Sequence, residues 1–194
     1  MNIILLSVFA YLLGSIPSSF LIGKAHNVDV RTIGSKSATS SNLSRALGWR
    51  WGAVSALLDI LKGVIPVLLA QRYLIGYDLI LVSLLPTIGH IFPVFLDFKG
   101  GKGAATFFGA TIVLVGYKFF LLSFLIWIVA LFLFKITSLT NLIFVWSLVI
   151  LLFFNLPFFY FIYGLLGALI ITFALRENIR RLMSGTESKI GFKW

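Results

Sequence analysis

Two lysines flank a pair of glycines at Lys99-Gly100-Gly101-Lys102-Gly103, and an apolar run begins at the next residue. Glycine lets a backbone approach an anion closely. The N–H groups that open a helix point at such an anion, and the helix dipole adds roughly half a positive charge. Lys99 and Lys102 bring full charges to the same place, so the segment reads as a phosphate or carboxylate site. The plainer reading is a flexible turn whose lysines orient membrane spans. The coincidence of cations, glycines and a helix start favours the anion site. A nucleotide loop of the form G-x-x-x-x-G-K-[ST] is excluded, because Leu96 and Gly103 stand where Gly and Ser or Thr are needed.

A second segment, Gly34-Ser35-Lys36-Ser37-Ala38-Thr39-Ser40-Ser41-Asn42-Leu43-Ser44-Arg45, is dense in hydroxyls and carries two cations. Hydroxyls and amides donate hydrogen bonds, and Lys36 and Arg45 supply charge for phosphate oxygens. A solvated linker with helix caps explains the same composition. In that case Ser41 or Asn42 caps a short helix through Leu43–Gly48. A third segment, Arg176 to Glu187, sets Leu175, Ile179, Leu182 and Met183 on one helical stripe and Asn178 with Arg181 on another. Gly185 is its expected stop. On spacing alone it is a basic amphipathic end on anionic lipid. Asp59 and Lys62 lie inside an apolar run at i, i+3, where ionisable groups are costly and either pair or mark a site. His90, after Gly89, is either a base or donor, or a buried cap on a backbone carbonyl.

These residues need a scaffold, and the composition says which kind. The chain has 194 residues, 60% of them hydrophobic and 11% charged, with a mean hydropathy of +1.06. Soluble chains average roughly 45–50% apolar and about 25% charged, so the bilayer must solvate most of this one. It has no cysteine, and its two histidines are far apart. Disulfides, iron–sulfur clusters, thiol nucleophiles and His/Cys zinc sites are therefore not expected. The net charge of +10 sits between apolar runs, which points to anionic headgroups and substrates, not nucleic acid. The N-terminus lacks the basic region and cleavage site of a signal peptide, so the first run is expected to be retained.

Seven apolar runs approach the length of a span: Ile3–Ile22, Ala53–Ala70, Leu79–Phe98, Ala104–Gly116, Phe119–Phe134, Leu139–Phe154 and Phe158–Leu175. The sequence thus predicts an all-α polytopic membrane protein of about seven transmembrane helices, folded as a single domain over 1–194. With the N-terminus outside, the inner segments are residues 23–52, 99–103, 135–138 and the tail 176–194. They hold 13 of the 16 Lys and Arg; the outer loops hold only Arg72 and Lys118, and Lys62 lies within a span. That asymmetry satisfies the positive-inside rule with a cytoplasmic C-terminus. The fourth run is short, so the glycine turn is expected to dip below the membrane surface and line a cavity.

Taken together, these pieces resemble the bacterial acyl-phosphate:glycerol-3-phosphate acyltransferase family over essentially the whole chain. The matching motifs are Gly-Ser-Ile-Pro-Ser at 14–18, Gly34-Ser35 through Asn42 and Arg45, Asp59 to Gly63, Gly89-His90 with Pro93, Lys99 to Gly103, and Glu177-Asn178-Ile-x-Arg181-Leu with Gly185-Thr186-Glu187. Two departures stand out. Lys36, Ser37 and Thr39 replace the usual Gly, Asn and Gly of the first loop, and Leu175 stands where a histidine often precedes the tail motif.

The resemblance implies transfer of a fatty acyl group from acyl phosphate to the 1-hydroxyl of glycerol 3-phosphate. The products are lysophosphatidic acid and phosphate, in phospholipid synthesis. No cofactor or metal is implied, and the place is the inner (plasma) membrane with the site facing the cytoplasm. Ser35, Arg45, His90 and Lys102 are then the catalytic candidates. Lys36, Asn42, Lys99, Gly100, Gly101, Gly103, Asn178 and Arg181 are candidates for binding substrate, with Asp59 and Lys62 a structural buried pair. Two phosphates bring about three to four negative charges together, which only a cationic pocket tolerates. The His-x-x-x-x-Asp dyad of another acyltransferase family is absent, since Phe95 and Arg31 stand five residues after His90 and His26. The proton acceptor is therefore either His90 or a substrate phosphate oxygen. Two other classes remain open on sequence: an anion transporter, and a phosphotransferase or phosphatase acting on lipid phosphate.

Overall fold

The computed structural model describes residues 2–190; Met1 and the last four residues of the expected tail, 191–194, lie outside them. Among the described residues every regular element is a helix: α1 Ile3–Ser15, α2 Ser18–Ala25, α3 Ser40–Leu47, α4 Trp49–Ala70, α5 Gly76–Ile91, α6 Ala104–Leu114, α7 Tyr117–Phe134, α8 Thr137–Asn155, α9 Phe158–Ala174 and α10 Arg176–Met183, with a short 3-10 turn at Val94–Leu96. The chain divides into two compact units, Met1–Leu114 and Val115–Trp194.

All seven apolar runs are helical, but they are not seven spans of equal length. Five helical stretches are long and apolar enough to cross a membrane: Ile3–Ala25, Trp49–Ala70, Gly76–Leu96, Tyr117–Phe134 and Thr137–Asn155. A sixth arises if α9 and α10, bent by 66° at their junction, count as one crossing. The fourth run makes only the 11 residues of α6, about 16 Å of helix against a hydrocarbon core of about 30 Å. The causes are local. Pro17 has no amide hydrogen, so the first run breaks into α1 and α2. Gly103 at φ 80° and Gly116 at φ 82° bound α6 on either side.

In the first unit, α1 packs on α5 and α4 on α6. Both crossings use small residues. A Cβ on Gly14 would overlap the Pro86 carbonyl, and one on Gly89 the Tyr11 carbonyl. Gly63 faces the Thr106 carbonyl and Gly109 the Ile60 carbonyl just as closely. Helices in lipid gain little from burying apolar groups against one another, so close backbone approach at small residues is what holds them. In the second unit α7, α8 and α9 pack in sequence order around Phe144, Leu148, Leu152, Tyr163 and Ile171, all fully buried.

Candidate functional site

The hydroxyl-rich loop is packed, not a solvated linker. Val30, Ala38, Leu43 and Leu96 form a buried cluster that ties it to the segment just before the glycine turn. At its centre is Asn42, which is fully buried. Its Nδ2 donates to the carbonyls of Val30 at 2.7 Å and of Ile33 and Ser37 at 3.1 Å each, and its Oδ1 accepts from the Ser35 N–H at 3.1 Å. One side chain therefore folds the whole loop. The expected cap moves: Thr39, not Ser41 or Asn42, caps α3, its hydroxyl accepting from the Asn42 N–H at 3.2 Å. Thr39 wins because it is the extended residue before the first helical turn, and only from there does a hydroxyl face the turn's free N–H groups. Lys36 takes a left-handed φ of 53°, a conformation that costs a side-chain-bearing residue roughly 1–2 kcal/mol. A glycine at this place would avoid that cost.

Asn42→Ala leaves the buried Val30 carbonyl and the part-buried Ile33 and Ser37 carbonyls without their donor. At about 1–3 kcal/mol for a stranded group, with part regained from water, a loss near 3 kcal/mol is expected. It would be read as a fall in the thermal midpoint of the protein in detergent.

The clasp leaves Ser35 half-buried and Lys36 exposed, with Arg45 exposed on α3 one turn beyond Asn42. The glycine turn meets this loop: a Cβ on Gly101 would come within 2.8 Å of the Ala38 carbonyl. The Gly100 and Gly101 N–H groups donate to the carbonyls of Ile91 at 3.1 Å and His90 at 3.0 Å. These two amides hold the turn in place. The first N–H groups of α6 have no intrahelical acceptor. Lys102 is half-buried beside them and Lys99 is exposed. A small cleft, with room for about one water, lies there, lined among others by Ile16, Ala38, Lys62, His90, Gly100 and Gly101.

His90 lines that cleft but is largely covered. It is 7% exposed, with Nδ1 3.2 Å from the Thr106 hydroxyl and 3.6 Å from Asp59 Oδ1. Asp59 and Lys62 form the expected buried pair, at 2.9 Å. Thr106 escaped the sequence reading; its only signal was a hydroxyl early in an apolar run.

In the second unit Asn178 and Arg181 do share one helical side, and both turn to Glu187. Asn178 Nδ2 donates to Glu187 Oε1 at 2.8 Å, the Ser138 hydroxyl donates to the same oxygen at 2.9 Å, and Arg181 Nε donates to Oε2 at 2.6 Å. The chain turns there at Gly185, φ 70°, as the sequence predicts. Ser138 went unnoticed in the sequence, because nothing in its spacing announces a partner 49 residues away. Burial alone would raise the Glu187 carboxyl, but hydrogen bonds from Asn178, Arg181 and Ser138 outweigh it and hold the carboxyl below the usual glutamate value. The fastening is complete above the unfolded value, about 4.3, and is lost as pH falls through the lower folded value. Amide exchange of residues 184–190, corrected for intrinsic rates, should rise on acidification. In Glu187→Gln it should already be fast at neutral pH and flat below.

Among the described residues no group of three or more His, Cys, Asp or Glu gathers as a metal site. The first unit offers cations, hydroxyls and helix-opening amides on two segments that meet at Ala38 and Gly101. It is suited to holding phosphate beside an apolar phase.

Comparison with known proteins gives the family. The sequence profile of the family described as glycerol-3-phosphate acyltransferase matches residues 4–185. The chain is 42% identical over 193 residues to a glycerol-3-phosphate acyltransferase of Rubrobacter xylanophilus, covering 97% of this chain and 95% of that one. With the protein of the same name from Aquifex aeolicus it shares 40% over 198 residues, covering 97% and 100%. The fold is similar to two crystal structures of PlsY, an integral membrane glycerol 3-phosphate acyltransferase. The glycerol 3-phosphate form gives a TM-score of 0.93 at 36% identity, covering 97% of this chain and 96% of that one. The lysophosphatidic acid form gives 0.90 at 35%, covering 97% and 95%.

Proposed function

The chain belongs to the glycerol-3-phosphate acyltransferase family, and from that premise we propose that its acyl donor is acyl phosphate. The hydroxyl oxygen at carbon 1 of glycerol 3-phosphate attacks the acyl carbonyl carbon. The bond from that carbon to the phosphate oxygen breaks, and phosphate leaves with the electron pair. The hydroxyl proton passes to a phosphate oxygen of the substrates. Lysophosphatidic acid and inorganic phosphate result.

The observation that carries this reading is the cationic glycine turn. It is pinned at the mouth of α6, against the hydroxyl-rich loop, in a chain with five helical stretches long and apolar enough to cross a membrane. Acyl phosphate has a good leaving group, so the reaction needs little activation of the nucleophile. It needs two phosphates and a lipid tail held in place, and such proximity is worth roughly 7–11 kcal/mol. Lys99, Lys102, Gly103 and the opening amides of α6, with Ser35, hold the acyl phosphate. Arg45 and Lys36 hold glycerol 3-phosphate on the loop that Asn42 shapes.

The test is the purified protein in lipid, given both substrates with a chelator and no coenzyme A. Lysophosphatidate formation supports the proposal. No product, with phosphate flux across sealed vesicles, would make the chain a transporter instead.

The same reading sets the site on the cytoplasmic face of the inner membrane, with α6 as a short seventh crossing and the N-terminus outside. The support is the one-sided placement of Lys and Arg. Because the chain lacks cysteine, single cysteines report without background. Asn2→Cys should react with an impermeant maleimide on intact cells and Lys189→Cys only after permeabilisation; the reverse would invert the topology.

A further inference from the structure

A line of polar contacts crosses the first unit beneath the glycine turn. It starts at the Ile16 carbonyl, where α1 breaks. Lys62 Nζ donates to that carbonyl at 2.7 Å and lies 2.9 Å from Asp59 Oδ1. The same carboxylate oxygen is 3.6 Å from His90 Nδ1, which also meets the Thr106 hydroxyl at 3.2 Å. The other ring nitrogen, Nε2, faces Gly101 so closely that a Cβ there would overlap it. The His90 carbonyl then accepts the Gly101 N–H. Asp59, Lys62, His90 and Thr106 are all more than nine-tenths buried.

Stability alone is a poor explanation for this array. An ion pair inside an apolar span does no better than apolar side chains of the same volume. What it does supply is fixed geometry. Its two ends rest on the two irregular backbone stretches that line the cleft, the α1–α2 break and the Gly100–Gly101 turn. The structure assigns Asp59, Lys62 and His90 as positioning residues: a buried strut that sets the aim of the glycine turn, and with it Lys102 and the opening amides of α6. The inference rests on reading that turn as the acyl phosphate site. His90 works at one remove from substrate. Its Nδ1 is turned to Asp59 and Thr106, and Nε2 is covered by a glycine Cα that only glycine lets lie so near. A misplacement of about 1 Å in such a site costs on the order of a hundredfold in rate, so a strut acting at second hand is enough to matter.

The experiment compares wild type with His90→Ala, His90→Gln and Thr106→Val, all full length in lipid nanodiscs. Two readouts are taken: amide exchange over residues 99–103, and KM, kcat and pH profile with acyl phosphate. The strut predicts at least tenfold faster exchange in His90→Ala, confined to that turn, with a tenfold or larger rise in KM. Glutamine, which spans much of the ring's reach without titrating in this range, should recover most of both. All variants should keep the wild-type pH profile. Thr106→Val removes only the hydroxyl facing Nδ1 and should speed exchange several-fold, which keeps the test alive if His90→Ala does not accumulate. Unchanged exchange at 99–103 in both His90→Ala and Thr106→Val overturns the strut. So does a lost pH limb with unchanged KM in His90→Gln, which would make His90 the base. If wild type made no lysophosphatidate from acyl phosphate, the functional reading would fail, while the exchange result would still decide the strut.

Discussion

Lys102→Ala is expected to lower turnover with acyl phosphate by about a hundred- to a thousandfold, the usual loss when a preorganised donor to developing charge is removed. Lys102 is half-buried at the opening of α6, beside a turn whose own amides are fixed to the His90 and Ile91 carbonyls. As the carbon–oxygen bond breaks, negative charge grows on a phosphate that already carries about −1.5 to −2. A cation partly out of water meets that charge with less screening than an exposed one. Lys102→Arg keeps the charge but not its compact shape, so it should recover part of the rate. Lys99 is exposed, and solvent and salt screen it over about 8–10 Å. Lys99→Ala should therefore cost far less, with a loss that shrinks further at high salt. Steady-state rates of the three variants check the ranking. Equal losses at Lys99 and Lys102 would mean that net charge matters and the place of the cation does not.

Asp59→Ala should be the most destabilising single change in the first unit. It strands the Lys62 ammonium, 5% exposed, inside an apolar helix. Breaking a buried pair from one side costs about 3–5 kcal/mol. For a chain of this size that is a fall in thermal midpoint of roughly 10 °C. Asp59→Asn combined with Lys62→Met removes both charges and should regain most of it. Stability would then separate from activity, because the double variant keeps its fold but loses the link from the Ile16 carbonyl to His90. A double variant as unstable as the single one would mean that the pair itself holds the helices together.

Much of this architecture could be read from the residues, and the failures have physical causes. Hydropathy finds apolar helices wherever they run, so all seven runs are helical. It cannot weigh one missing amide at Pro17 or two left-handed glycines around α6, and those decide how long each helix is. The Lys99–Gly103 turn was legible because cations, glycines and a helix start fall within five residues. Asn42 was legible as important but not in kind. An amide that binds a ligand and an amide that folds a loop are the same residue, and only the carbonyls of Val30, Ile33 and Ser37 around it tell them apart. His90 shows the same limit, since its neighbours Asp59, Thr106 and Gly101 come from three different places in the chain. The Ser138–Glu187 contact had no local signal at all.

The central claim is that acyl phosphate gives its acyl group to glycerol 3-phosphate and that its own phosphate leaves as inorganic phosphate. Acyl phosphate carrying radioactive phosphorus, incubated with unlabelled glycerol 3-phosphate and the protein in lipid, tests this directly. All of the label should appear as inorganic phosphate, one for each lysophosphatidate formed, and none in the lipid. Label in the lipid product, or lysophosphatidate formed from acyl coenzyme A but not from acyl phosphate, would contradict the account.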